Sequence, residues 1–306
     1  MTRKENNIIL LSITLCWASS YIFIKDLPPK ISSYAYLTLT TGIAGILMLV
    51  IFRNSLGMFD GPALIRGFIL ALLMAGNLLM EKAGLIYLPS SNASFIASLN
   101  ILFVPLLLLS FHVRPTRNNV VGIVVILFGL AFTNGFHLEG FLNRGAVFMM
   151  LSCLFMACYT IIAADFTKKS SPLLLGIAQI CFTAVIGFFL WFLEDPRTFG
   201  SLTYSRQMLS TIFILAFFAK AYAYTMLMYA EKYASAFHVT IISSTEPVVT
   251  LILALLIPNS IGKTEPFRLQ ALAGAVCITI GAVIAGTDFL SGERDRTAET
   301  EEEKVV

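Results

Sequence analysis

Apolar residues run through this chain in ten long stretches, separated by short polar or proline-bearing breaks. The stretches fall at about residues 8–26, 31–52, 64–86, 91–111, 118–136, 144–166, 172–193, 209–231, 235–257 and 268–288. Each is close to the ~20 residues that a helix needs to cross a hydrocarbon core of ~30 Å. Pro28-Pro29, Gly61-Pro62, Pro89, Pro115, Gly140, Pro172, Pro196, Pro258 and Pro266 stand in the gaps, where a helix ends or cannot continue. In lipid only helices and closed barrels satisfy the backbone, and runs this long are not barrel strands. The pattern predicts an all-α integral membrane protein of ten transmembrane helices. Some gaps are only a few residues long, which predicts that consecutive helices are mostly antiparallel neighbours.

Composition adds the surroundings and removes several function classes. The 306 residues are 57% hydrophobic and 13% charged, with a mean hydropathy of +0.82; a water-facing surface needs about a quarter charged residues. The lipid bilayer is thus the main partner. The net charge of +3 is scattered, with no basic stretch interleaved with aromatics, so no nucleic-acid partner is expected. The five cysteines, Cys16, Cys153, Cys158, Cys181 and Cys277, lie in apolar stretches and read as small buried hydrophobes. No phosphate-binding Gly-Lys loop, zinc-protease motif or nucleophile elbow occurs, and His112, His137 and His238 stand far apart. The expectation is a protein that is not an enzyme and uses no cofactor and no metal.

Arg3 and Lys4 before the first apolar run suggest a signal peptide, but the run continues for about 17 residues and holds Trp17 and Tyr21. It reads as a first membrane helix that is retained. With the N-terminus in the cytoplasm, twelve Lys and Arg at helix ends fall on that side and eight on the other. Positive residues favour the cytoplasmic side. A multi-pass protein of the cytoplasmic (inner) membrane of a bacterium, with both termini cytoplasmic, is expected. Residues 291–306 carry Glu299, Glu301, Glu302 and Glu303 and are expected to form a disordered acidic cytoplasmic tail.

The two halves of the chain echo each other. Tyr87 and Tyr233, Ser98 and Ser244, and Asn100 and Glu246 all lie 146 residues apart. Upstream, Phe68-Ile69-Leu70-Ala71-Leu72 answers Phe213-Ile214-Leu215-Ala216-Phe217 at 145, a slip of one residue. Residues 1–140 and 141–290 read as two five-helix repeats. An odd helix count makes the second repeat enter the membrane inverted, the design of secondary transporters whose site lies near the midplane between the halves.

These echoes, together with the Trp17-Ala18-Ser19-Ser20-Tyr21-Ile22-Phe23-Ile24-Lys25 run closing the first helix and Glu246-Pro247 in the ninth, carry a family resemblance. Over residues 7–290 the chain resembles ten-helix, EamA-type members of the drug/metabolite transporter superfamily. The resemblance implies an exporter or importer of amino acids or other small metabolites.

The residues that can carry such a function are ionisable or polar groups at depths where lipid disfavours them. Lys220 lies mid-way along the eighth segment, where a charge costs ~3 kcal/mol on insertion scales and seeks the bundle interior and a partner. Tyr224 follows it one turn on, on the same face. Glu246 is the expected counter-charge of Lys220. Asn77 and Glu81 share a face at i, i+4, with Glu81-Lys82 near enough to the helix end to snorkel. Asn100 is a buried amide, and Trp17 and Tyr21 lie along one stripe of the first helix. Tyr159 corresponds to Ser20 in the repeat, and His238 lies two turns before Glu246 on a nearby face. The predicted substrate-binding set is Lys220, Glu246, Tyr224, Trp17, Tyr21, Asn77, Asn100 and Tyr159. Glu246, Glu81 and His238 are the proton-coupling candidates, H+ being the candidate coupling ion. The small residues Gly122, Gly129, Gly274, Cys277, Gly281 and Ala285 predict close helix approach away from the pathway.

The leading reading is a secondary active transporter, monomer or homodimer, moving a small-molecule substrate by alternating access around a midplane cavity. The substrate class is an amino acid or related carboxylate/amine compound. Two alternatives stand beside it: a non-transporting scaffold subunit, and an organellar phosphate-sugar exchanger, which would need several cations converging on one phosphate.

Overall fold

The computed structural model describes residues 2–28, 30–109, 116–133, 143–201, 205–258, 264 and 269–285. Regular structure among them is helical throughout. The helices are α1 Arg3–Lys25, α2 Ser33–Ile51, α3 Gly61–Tyr87, α4 Ser90–Ala97, α5 Asn100–Leu109, α6 Arg117–Thr133, α7 Arg144–Lys169, α8 Pro172–Glu194, the short α9 Thr198–Ser201, α10 Arg206–Ile214, α11 Ala223–Tyr233, α12 Ala236–Ser243, α13 Glu246–Leu256 and α14 Leu269–Ala285. A 3-10 turn covers Arg53–Met58, and a π-helical stretch Leu215–Tyr222 joins α10 to α11. Polar residues just outside the apolar runs start the helices. Ser32, Asp60, Asn143, Ser205 and Ser235 each accept a hydrogen bond from a first-turn backbone N–H, and Thr2 and Glu5 cap each other's backbone reciprocally. The tail 291–306, with Pro115, Gly140, Pro266, His112 and His137, lies outside the described residues.

Eight helical segments are long and apolar enough to cross a membrane, and α6 and α14 are shorter apolar helices. Side chains such as Leu11, Leu15, Ile46, Val185, Phe188 and Phe192 are exposed on the outside of the bundle, as a lipid-facing surface requires. The ten predicted segments are all present. The fourth, however, is divided into α4 and α5, and the ninth into α12 and α13.

Helix pairing departs from the expectation of consecutive antiparallel neighbours. The dominant partners come from opposite halves: α6 with α14, α3 with α7, α2 with α8 and α3 with α8. The reason is the distribution of small residues. On α6, a Cβ added to Gly122 would sit 2.4 Å from the Ala285 Cβ and 2.6 Å from the Gly281 carbonyl oxygen of α14. Only glycine permits that approach, and the predicted small-residue stripe fulfils its predicted use. Exchanging each segment for the one five places on reproduces the pairings. The third with the sixth (α3, α7) becomes the eighth with the first (α11, α1). The fourth with the sixth (α5, α7) becomes the ninth with the first (α13, α1).

The one-residue slip between the halves has a structural counterpart. From Phe68 to Tyr87 the chain is one residue shorter than from Phe213 to Tyr233. Leu215–Tyr222, inside the longer stretch, is π-helical, and a π-turn is the wide turn that accommodates an extra residue within a helix.

Candidate functional site

The two helix breaks build the centre of the site. In the first, the Leu99 N–H donates to the Ile96 carbonyl at 3.0 Å and the Leu102 N–H to the Leu99 carbonyl at 2.8 Å. In the second, the Thr245 N–H donates to Ile242 at 3.1 Å and the Val248 N–H to Thr245 at 3.1 Å, the same bonds 146 residues on. Each helix tightens for a turn and restarts, so Asn100 and Glu246 open α5 and α13 instead of lying within continuous helices. Pro247 has no N–H to offer the Ser243 carbonyl, which keeps the second break open.

A cavity of about 60 Å3 lies between the breaks, room for roughly four waters at about 15 Å3 each. Trp17, Ser20 and Tyr21 of α1, Asn77 and Glu81 of α3, and Ser152, Cys153, Met156 and Thr160 of α7 form part of its wall. Asn100 and Ile101 begin α5, Lys220 and Tyr224 come from the π-stretch and α11, and Thr240, Ser243, Ser244 and Glu246 flank the second break. Both halves of the chain contribute.

A polar chain ties the wall together. The Tyr224 hydroxyl donates to Asn77 Oδ1 at 3.2 Å, and Asn77 Nδ2 donates to Ser152 Oγ at 2.9 Å and to the Ser152 carbonyl at 3.2 Å. The Trp17 indole N–H donates to the Ala219 carbonyl at 3.3 Å, and its ring centre is 5.4 Å from that of Tyr224. Asn100 Oδ1 and Thr160 Oγ1 are buried without a hydrogen-bond partner, so the cavity presents unused polar capacity.

The expected Lys220–Glu246 ion pair is not formed: among the described residues neither has an opposite charge within 4.0 Å. The Lys220 ammonium, 1% exposed, lies over two aromatic faces, 5.4 Å from the centre of Tyr36 and 5.8 Å from that of Tyr224. The carboxylate whose field reaches it is Glu81. Glu246 interacts instead with Tyr21 and Glu81. The break at Ser244-Thr245 accounts for this, since it starts α13 at Glu246, and α13 packs on α1, which carries Tyr21.

Of the residues singled out in the sequence, Lys220, Glu246, Tyr224, Trp17, Tyr21, Asn77, Asn100 and Glu81 meet at the cavity. Two do not. Tyr159 is fully buried behind Tyr224, ring centres 5.8 Å apart, and donates to Gln179 Oε1 at 2.7 Å. His238 is turned toward the start of α1, with Nε2 2.9 Å from Asn7 Oδ1. Glu81-Lys82 does not snorkel: Glu81 lines the cavity, and Lys82 is 5% exposed with Nζ 3.4 Å from the Ile24 carbonyl. Lys25 donates to the Leu88 carbonyl. Cys153, read as packing, lines the cavity and also donates to the Ile96 carbonyl at 3.1 Å. Sequence reasoning missed Tyr36, Ser152 and Thr160, because single hydroxyls in apolar helices carry no signal that separates wall from core.

Fold and site together define a polytopic helical membrane protein with a cavity into which polar and charged side chains converge. The EamA-like transporter family matches residues 6–135 and again residues 143–287. An uncharacterized transporter of Archaeoglobus fulgidus is 24% identical over 245 residues, which cover 78% of this chain and 73% of that protein. A solved crystal structure aligns with a TM-score of 0.69 at 17% identity, over 96% of this chain and 100% of that one, and has the same fold. The chain belongs to the EamA-like transporter family and is a membrane transporter.

Proposed function

We propose that the protein is a secondary transporter of a small amino acid, or a close relative bearing both a carboxylate and an amine. The observation that carries this is that Lys220 and Glu246 line one cavity without pairing with each other. Each is left to meet an opposite charge on a bound molecule: the substrate carboxylate at Lys220, its amine at Glu246 and Tyr21. Charges desolvated this deeply are favourable only when so paired. Asn77, Asn100, Trp17 and Tyr224 complete the binding wall, and Tyr159 supports it from behind.

Movement is by alternating access, with residues 1–140 and 141–290 as inverted repeats that rock against each other. The exchange symmetry of the helix pairs supports this reading. One chain supplies both walls, which suits a monomer or a homodimer of complete units. We place the protein in the cytoplasmic membrane of a bacterium with both termini inside, and take Glu246 and Glu81 as candidates for coupling to protons.

Uptake of a radiolabelled panel into proteoliposomes tests the proposal. Accumulation of at least one amino acid above empty liposomes is expected. Entry of sugar phosphates alone would replace it with a phosphate exchanger, a reading that Lys220 as the single Lys or Arg on the cavity wall among the described residues disfavours.

A further inference from the structure

We propose that Glu231 is a proton-binding site, separate from the substrate cavity, that the transport cycle loads and empties. The inference rests on the transporter reading above. It deepens that reading with a residue that neither the sequence pattern nor the cavity wall brought forward.

Glu231 is 0% exposed, and neither of its carboxyl oxygens has a hydrogen-bond partner. It lies on α11 seven residues after Tyr224, close to two turns, and so on nearly the same face about 10 Å further along the axis. Gln179 of α8, a helix packed against α11, is also fully buried, and its Nε2 has no acceptor. The Gln179 oxygen accepts from Tyr159, which interacts electrostatically with Glu231 and stacks edge-on against Tyr224. Glu231 thus continues the buried side of α11 beyond Tyr224, while Tyr159 and Gln179 form a hydrogen-bonded pair behind the Tyr224 ring.

Among the titratable groups on the elements packed against α11, Lys4, Glu5, Cys16, Tyr21 and Lys25 lie on α1; Arg144, Cys153, Cys158, Tyr159 and Lys168 lie on α7; Cys181 and Glu194 lie on α8; Lys220 and Tyr222 lie on the π-helical stretch; and His238, whose ring bonds Asn7, lies on α12. The Asp165 and Lys169 side chains at the far end of α7 pair with each other at 2.5 Å. Among the described residues no Lys or Arg pairs with Glu231, and the neighbouring Lys232 is exposed.

An isolated carboxylate in such surroundings is far less favourable than a neutral acid. In the closed form the group therefore holds a proton as a carboxyl O–H. Opening this end of the bundle hydrates the group, stabilises the carboxylate and lets the proton leave to water; reclosing requires that one be taken up again. Only the O–H bond is made and broken. Proton occupancy becomes tied to which side is open, which is what coupling requires.

Two measurements on the full-length protein in liposomes test this. In the first, infrared spectra at neutral pH are expected to contain a protonated-carboxyl C=O band of which one component disappears in Glu231→Gln. A spectrum unchanged by the substitution overturns the proposal. In the second, vesicles enclosing a pH-sensitive dye receive an equimolar mixture of the twenty amino acids. The wild-type protein is expected to move protons with the mixture. Glu231→Gln is expected to lose that proton movement at least tenfold while still exchanging radiolabelled mixture across the membrane. Retained proton movement in Glu231→Gln overturns the proposal. If the wild-type protein transports none of the mixture, the substrate reading fails, and the infrared result still decides Glu231.

Discussion

The Lys220 ammonium lies 5.4 Å from the centre of the Tyr36 ring, and Tyr36 uses only that ring: its buried hydroxyl has no hydrogen-bond partner. A desolvated cation over an aromatic face gains about 2 kcal/mol, whereas an unsatisfied buried hydroxyl gains nothing. Tyr36→Phe is therefore expected to melt at or above the wild-type temperature in detergent, and Tyr36→Leu to lose about 2 kcal/mol. Equal losses in the two variants would show that the hydroxyl, not the ring, is the group that matters.

The Tyr224–Asn77 bond makes a different prediction. Tyr224→Phe removes the donor to Asn77 Oδ1 while leaving the ring contacts with Trp17 and Tyr159 in place. A buried acceptor left unmet costs about 1–3 kcal/mol. Thermal unfolding is expected to show that loss, and a stability equal to wild type would mean that Asn77 finds another donor.

The α6–α14 seam is expected to tolerate no side chain at Gly122. A Cβ there meets Ala285 and the Gly281 carbonyl within 2.6 Å, so Gly122→Val forces the helices apart at about 1–3 kcal/mol or more. Gly42→Ala on α2 meets nothing within 4 Å and is the control, expected within about 0.5 kcal/mol of wild type. Fluorescence-detected size-exclusion profiles of the two variants distinguish them. A monodisperse, fully expressed Gly122→Val would contradict the close contact.

How much of this was legible in the sequence follows from what apolar patterning encodes. Lys220, Glu246 and Glu81 stood out because charges in apolar runs are rare enough to be informative. Ten segments were readable because length and hydropathy alone set them. The breaks in the fourth and ninth segments were not, because Ser98-Leu99 and Ser244-Thr245 are compatible with a continuous helix. Pro105 lies inside α5 without dividing it, while Pro247 sits in the first turn of α13, so proline position alone did not locate them either. The wrong ion pair came from this gap: on one unbroken ninth helix Glu246 could face Lys220, but on a restarted one it faces α1. Glu231 carries no signal in the sequence, two residues before the end of α11 and next to Lys232, and only the fold reveals its burial.

Cavity assignment itself predicts a labelling pattern. In a background with native cysteines replaced, Ser244→Cys lines the cavity and is expected to react with a small water-soluble thiol reagent. Tyr159→Cys, fully buried behind Tyr224, is expected to react at least tenfold more slowly. Equal rates would mean that water reaches the layer behind the cavity.

Lys220 and Glu246 are proposed to bind opposite ends of one small zwitterion. The most direct test of this is competition for uptake in proteoliposomes, with the best-transported amino acid as the labelled probe. The matching amine lacking the carboxylate and the matching acid lacking the amine are each expected to compete at least tenfold more weakly than the amino acid. Lys220→Met and Glu246→Gln, folded and purified like wild type, are each expected to lose at least tenfold in uptake. If either half-molecule competes as well as the whole, or either variant transports at the wild-type rate, the two charges do not form the substrate site.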